Sequence, residues 1–222
     1  IGAIQHPEDG YIQPADLTQA LATGARNRGA EIYRNTTVIG IKQNKDVWVV
    51  ETDKGSIECE HVVSCSGNFA RQTGKMVGLE IPVIPVEHQY IVTEPHPEIQ
   101  KRKKDGLPEM GVLRDSDTQW YMREEAGGLL LGPYEKGAPC CYVDGPSKDS
   151  EYELFQEDLE RLAPHIEGAI YRVPAFGEVG VKKVYNGAIC YTPDGNPIVG
   201  PAWGLKNFWI NEGHSFGITA AG

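Results

Sequence analysis

Gly213-His214-Ser215-Phe216-Gly217 sets two glycines four residues apart where an apolar run gives way to a helix. They keep the first turn of that helix bare, so its backbone N–H groups can face a ligand, and the helix dipole adds partial positive charge there. The same glycines also permit plain helix packing, and the residues alone balance the two readings evenly. A second candidate is the stretch EHVVSCSGNFA at residues 60–70. Its run His61-Val62-Val63-Ser64 marks a buried strand. The small residues Ser64, Cys65, Ser66 and Gly67 let a ligand approach the backbone at the carboxyl end, where ligands sit in open α/β sheets. A strand entering a tight turn explains those residues too, and is the better reading from this stretch alone. His88 stands two residues before Tyr90 on a strand-like run, where a lone histidine is more often packing than chemistry.

Composition narrows the classes. The chain has 222 residues, 40% of them hydrophobic, enough to bury a core in one large or two small domains. A formal charge of −10 argues against nucleic acid or an anionic membrane as partner. No run has the length of a transmembrane helix. The first residue is Ile1, so the chain is expected to begin inside a longer protein. The five cysteines include no C-x-x-C, and the six histidines form no H-x-x-H or H-x-x-x-H pair. These read as reduced thiols with no metal site.

The elements that must position the candidates follow from pattern. Pro14 opens a helix whose stripe is Leu17, Ala20, Leu21, Gly24 and Ala25, with Gly29 placed as its C′ residue. The small residues of that stripe suit close packing on a sheet. Residues 31–34 read as a short strand. Strands at 38–43 and 47–52 flank a three-residue loop, Asn44-Lys45-Asp46, and a turn at Asp53-Lys54-Gly55 leads to a strand over 56–60. A helix is expected over 69–77, with Gly78 beyond it. The pattern is a parallel layer interrupted by a three-stranded antiparallel insertion.

Pro82 and Pro85 bracket the crossing into a second region. Residues 87–93 are strand-like. Residues 95–108 carry Lys101-Arg102-Lys103-Lys104 and read as an exposed loop. Antiparallel strands are expected at 112–114, 119–123 and 129–131. Ser150 and Glu153 form a capping box for a helix with Tyr152, Phe155, Leu159 and Leu162 on its buried stripe, ended by Pro164. Residues 179–184 and 188–191 read as two strands, 198–199 and 207–210 as two more. The segment from Glu212 to Gly217 then opens a helix running to Gly222.

Three stretches in this order resemble the amine-oxidising FAD enzymes of the D-amino-acid oxidase superfamily. The first is Glu8-Asp9-Gly10-Tyr11-Ile12-Gln13-Pro14 with Leu17, Ala20, Leu21, Ala25, Gly29 and Ala30; the second is Val62-Val63-Ser64-Cys65-Ser66-Gly67-Asn68-Phe69-Ala70. The third is Tyr191-Thr192-Pro193-Asp194-Gly195-Asn196-Pro197-Ile198-Val199-Gly200-Pro201, continued from Asn211 to the end. Pro85-Val86-Glu87-His88-Gln89-Tyr90 is similar to the branch of dimethylglycine dehydrogenase, dimethylglycine oxidase and sarcosine dehydrogenase.

The resemblance implies an α/β (α+β) fold: an incomplete FAD-binding Rossmann-like domain with the antiparallel insertion, and an antiparallel-sheet substrate domain. The cofactor domain would hold residues 1–81 and 188–222, the substrate domain residues 82–187. The family's G-x-G-x-x-G turn is absent here, so that part of the FAD domain, and any histidine tethering FAD, is expected outside this chain. A tetrahydrofolate-binding domain often follows in the family. The fragment by itself is expected to be inactive and to hold FAD weakly or not at all.

Site residues come by the same route. His88 and Tyr121 match substrate-side positions, and are expected on neighbouring strands; a slip of one would put Trp120 or Met122 in place of Tyr121. Val38, Ser66, Gly67 and Asp194 match cofactor contacts, although a turn-capping role suits Asp194 equally. Gly213, His214, Ser215, Phe216, Gly217 and Ile218 match the helix start that approaches the flavin and would stabilise negative charge near its N1 and C2 oxygen. The implied reaction passes a hydride from the carbon next to nitrogen of a dimethylglycine- or sarcosine-type amine to FAD. The electron acceptor would be oxygen or an electron-transfer flavoprotein. The compartment would be the cytoplasm in a bacterium and the mitochondrial matrix in a eukaryote. Two alternatives are a regulatory protein of the pyruvate dehydrogenase phosphatase type and an oxidase of a primary amine such as glycine.

Overall fold

A computed structural model describes residues 2–147 and 150–220. The chain forms two compact units. One takes residues up to Ile12, Glu87–Pro139 and Tyr152–Gly187; the other takes Gln13–Val86, Cys140–Glu151 and the chain from Ala188 onward.

The second of these begins with helix α1, Pro14–Arg26. Pro14 sits in its first turn, and Gly29 follows it at φ +91°, the left-handed conformation a helix stop favours. No residue of α1 is buried, and Leu21 is 66% exposed, so the small-residue stripe packs on no sheet among the described residues. Residues 31–34 form no strand: among the described residues no ladder partner lies beside them, and Tyr33 is exposed. Strands β1 (Val38–Asn44), β2 (Val47–Thr52) and β3 (Gly55–Cys59) form an antiparallel meander. Asn44 pairs with Val47, so the first loop has two residues rather than three, with Lys45 at φ +56°.

Strand β4 (Val62–Ser64) lies parallel to β11 (Phe208–Glu212), which pairs antiparallel with β10 (Ile198–Pro201). A 3-10 turn at Gly67–Phe69 leads into α2, Ala70–Met76. The core joins Ile41 and Trp48 of the meander to Phe208 and Ile210 of β11. Trp48 meets Phe208 edge to face at 5.2 Å and donates its indole N–H to Lys206 O.

The other unit is a five-stranded sheet in the order β6-β7-β8-β5-β9. These are β5 (Ile84–Thr93), β6 (Leu113–Asp115), β7 (Trp120–Glu125), β8 (Gly128–Pro133) and β9 (Val181–Tyr191). β9 is one strand where the sequence pattern reads two. Residues 95–108, expected as a loop, contain helix α3, Pro97–Lys104. Pro97 starts it, the His96 ring accepts from Glu98 N–H, Ile99 is buried, and the four basic residues fall in the last turn where the dipole favours cations.

Helix α4 is Leu159–Arg172. It begins later than the capping box implies, and Pro164 lies inside it instead of ending it. Tyr152 has φ +50° and is 95% exposed, and Phe155 N donates to Asn186 O, so the preceding segment is extended. Asp158 is the true cap, its Oδ1 accepting from Arg161 N at 3.0 Å. Leu162 and Ala169 pack on Ile91, Trp120, Met122 and Leu131. Strand alternation then puts Gln89 and Ile91 on the face toward α4 and His88, Tyr90 and Tyr121 on the other.

Candidate active site

The turn after β4 is tied down by a buried carboxylate. Glu212, 1% exposed, ends β11. Its Oε1 accepts from Ser64 Oγ at 2.6 Å, Ser66 N at 2.7 Å and Ser66 Oγ at 2.7 Å, and its Oε2 from Gly67 N at 2.8 Å. The backbone donors of the small-residue turn are therefore held within the protein. Parallel pairing of β4 with β11 brings the two strand ends side by side, which is why residues 146 positions apart can meet. No motif singles out Glu212; its one signal in the sequence is a charge closing an apolar strand before a glycine.

Gly213 follows at φ +76°, and a Cβ there would fall 2.5 Å from Thr192 Cγ2. Both observations require glycine. Thr192 Oγ1 donates to Asp194 Oδ1 and Asn196 O, and Asn196 N donates to Asp194 Oδ1. These bonds hold the Asp194 carboxyl below the usual carboxylate range, with Asn196 the largest cause. Asp194 is thus a turn-capping residue in its own segment.

Helix α5 covers Gly217–Ala220 and does not begin at Gly213; residues 221 and 222, where the expected helix ends, lie outside the described residues. Gly217 has ordinary space, its nearest neighbour to a Cβ being His214 Cβ at 3.7 Å. Ser215 is buried and donates to Cys190 O; Phe216 meets Tyr191 edge-on, and Phe216 and Ile218 are exposed. His214 Nε2 bonds Asn211 Oδ1 at 2.6 Å, while its Nδ1 is buried with no partner among the described residues. An orphaned ring nitrogen beside exposed apolar residues fits one edge of a planar heterocycle such as a flavin. Val38 opens β1 and is exposed, paired across the meander with Thr52 rather than with these residues.

In the other unit β8 lies between β5 and β7, so His88 and Tyr121 are not on neighbouring strands as expected, although they share a face. Trp120 and Met122 are buried in the α4 core, which leaves Tyr121 as the residue of its trio on the His88 face. Burial raises the Tyr121 phenol above its ordinary value, and Tyr134 adds to the effect. Burial lowers the His88 imidazole; the charge of Glu135 opposes this and that of Arg161 adds to it. Both shifts act in the direction of a protonated phenol and a neutral imidazole. Tyr90 stacks on Tyr185 at 4.7 Å on that face.

The expected parallel layer is a mixed three-stranded sheet in which only β4 and β11 run parallel, and the meander is a sheet of its own. With the five-stranded sheet that bears His88 and Tyr121, these parts define a flavoprotein oxidoreductase architecture. The chain belongs to the DAO family of FAD dependent oxidoreductases, whose profile matches residues 1–222. Along its whole length it is 40% identical to mitochondrial dimethylglycine dehydrogenase of Mus musculus, of which it spans 26%. It is 34% identical to mitochondrial sarcosine dehydrogenase of Mus musculus, of which it spans 24%. Its fold superposes on L-proline dehydrogenase from P. horikoshii with a TM-score of 0.72 and 25% identity, covering 91% of this chain and 50% of that one.

Proposed function

We propose that this chain is part of an enzyme that oxidises an N-methylated or secondary or tertiary amino acid of the dimethylglycine or sarcosine type. The observation that carries the reading is the 40% identity to dimethylglycine dehydrogenase along the entire chain. Residues 1–81 and 188–222 serve the cofactor and 82–187 the substrate. The electron acceptor is oxygen or an electron-transfer flavoprotein, and a folate-binding domain belongs to the whole protein. The compartment is the mitochondrial matrix in a eukaryote and the cytoplasm in a bacterium.

His214, Phe216 and Ile218, with the backbone around Gly213 and Gly217, would hold one edge of the flavin; Ser66, Gly67, Asp194 and Ser215 shape the surrounding turns, and the Val38 backbone would contact the cofactor from β1. FAD, when bound, supplies the two-electron oxidation at the carbon next to nitrogen. The protein must bring the amine to its neutral form, because an ammonium cannot release electrons toward an acceptor. His88, held neutral, accepts the ammonium proton, and the protonated Tyr121 phenol orients the amine by hydrogen bonding.

The test is anaerobic stopped-flow reduction of the complete protein by dimethylglycine, sarcosine and glycine across the pH range. Fastest bleaching by an N-methylated substrate is expected. His88→Ala or Tyr121→Phe should slow reduction on the order of 10²-fold without loss of bound FAD. Preference for glycine would move the protein to the primary-amine oxidases. A protein whose flavin none of the three bleaches would be a regulatory relative.

A further inference from the structure

Behind His88 lies a buried polar cluster that the proposed chemistry does not use. Glu135 follows β8, and its side chain is 1% exposed. Its Oε1 accepts from Gln89 Nε2 at 2.7 Å and from Arg161 Nε at 3.0 Å. Its Oε2 accepts from the backbone N–H of Gln89 at 3.1 Å and faces His88 Nδ1 at 3.9 Å. Gln89 continues the chain of contacts: its Oε1 accepts from Asp158 N at 2.7 Å, and its Nε2 reaches Asp158 O. The histidine strand, the end of β8 and the cap of α4 are thus locked together through one carboxylate. Among the described residues, Glu135 is the group that faces the His88 ring with a charge of opposite sign to its protonated form.

The charges around it are unequal. Arg161 of α4 meets Glu135, Glu87 of β5 at 3.3 Å and Asp158 at 3.4 Å, three carboxylates on one guanidinium. Asn186 of β9 adds a neutral donor to Glu87. The surplus is negative. A proton arriving on His88 would meet charge already in place, in a site where little solvent rearrangement is needed. At 3.9 Å the carboxylate is too far to accept a hydrogen bond from the ring, but its negative charge beside Nδ1 favours the ring form that carries its proton there.

We propose that Glu135 is the positioning residue of His88, holding the Nδ1–H tautomer so that Nε2 is the atom free to take a proton from the substrate amine. The inference rests on His88 being the amine's base, and the experiment separates the two. The flavin-loaded protein is prepared with ¹⁵N,¹³C-histidine, and the His88 signals are assigned by their loss in His88→Gln. Wild type alone reports the tautomer: a protonated Nδ1 is expected, and a protonated Nε2 overturns the proposal without any variant having to fold. Glu135→Gln, which keeps the shape but removes the charge, should lower the His88 titration midpoint, because burial and Arg161 then act unopposed; Glu135→Asp should restore part of the loss. An unmoved midpoint in Glu135→Gln also overturns the proposal. In the same variant the acid limb of flavin reduction by dimethylglycine should move to lower pH in step, with the plateau down roughly tenfold, a fraction of a full acid–base contribution. A midpoint that moves while the limb stays would leave the pairing intact and remove His88 as the base.

Discussion

The ring of Tyr121 lies over Gly132 on the next strand, where a Cβ would come within 2.1 Å of Cζ and 2.4 Å of the phenol oxygen. The two residues are paired directly across β7 and β8. Gly132 is therefore the floor on which the phenol rests, and no larger residue leaves Tyr121 in place. Gly132→Ala should cost about 1–3 kcal/mol, the range for overpacking. It should also slow flavin reduction toward the Tyr121→Phe rate. A thermal melt and stopped-flow reduction check both, and a variant with wild-type stability and rate would show that the phenol position is unimportant.

Glu212 offers a second test, of the turn that follows β4. Glu212→Ala would strand two backbone N–H groups and two hydroxyls in a site that is 1% exposed at the carboxylate. Each unsatisfied buried donor costs about 1–3 kcal/mol, so a loss of at least roughly 3 kcal/mol is expected. Glu212→Gln retains an acceptor oxygen and should lose less. Urea denaturation gives the numbers; equal midpoints for Glu212→Ala and wild type would mean that water replaces the carboxylate freely.

What could be read from the sequence follows the range of the forces involved. Local rules located Pro14 at a helix start and Gly29 and Gly78 beyond helix ends, because conformation there is set within a turn of chain. They misplaced the start of α4, since Ser150-x-x-Glu153 satisfies a local pattern while the bond from Phe155 N to Asn186 O holds that segment extended. The basic run at 101–104 concealed α3 because buried Ile99 and the His96 cap are modest signals beside four charges. Family-like motifs pointed to His88 and Tyr121. Glu135, Arg161 and Glu212 stayed out of sight because each acts through partners far off in sequence, such as Gln89 and Ser66. Pattern also gave no warning that β8 separates β5 from β7, since strand order depends on which edges pair.

Pro164 gives a prediction of opposite sign. It sits inside α4, exposed, where its ring removes one helix hydrogen bond and crowds the preceding turn. Pro164→Ala should stabilise the protein by roughly 1–2 kcal/mol: about 3 kcal/mol of helix preference, less what the ring saves in the unfolded chain and what the helix already accommodates. Chemical denaturation checks this. A destabilised variant would mean that the proline sets a bend that the packing of Leu162 and Ala169 requires.

Cys190 carries the pH prediction. Its thiol is half-buried, donates to Asn68 Oδ1 at 2.9 Å, and is pushed from 9.0 up to about 11, first by burial and then by the charge of Glu212. In the unfolded chain it loses its proton near the ordinary value, while the folded protein holds it until about 11. Between those limits the unfolded state binds fewer protons, so stability falls as pH rises. The loss should reach roughly 2–3 kcal/mol, at about 1.36 kcal/mol for each pH unit separating the two values. Below the ordinary thiol value this contribution is constant. Cys190→Ala removes it, so the stability difference between wild type and variant should be flat at neutral pH and shrink in alkali. Thiol labelling supplies an independent reading: Cys65 and Cys140 are exposed and should react first, with Cys190 protected. If Cys190 in the folded protein is labelled as readily as Cys65 at pH near 9, about its ordinary value, the thiol is not held by Asn68 and burial as described.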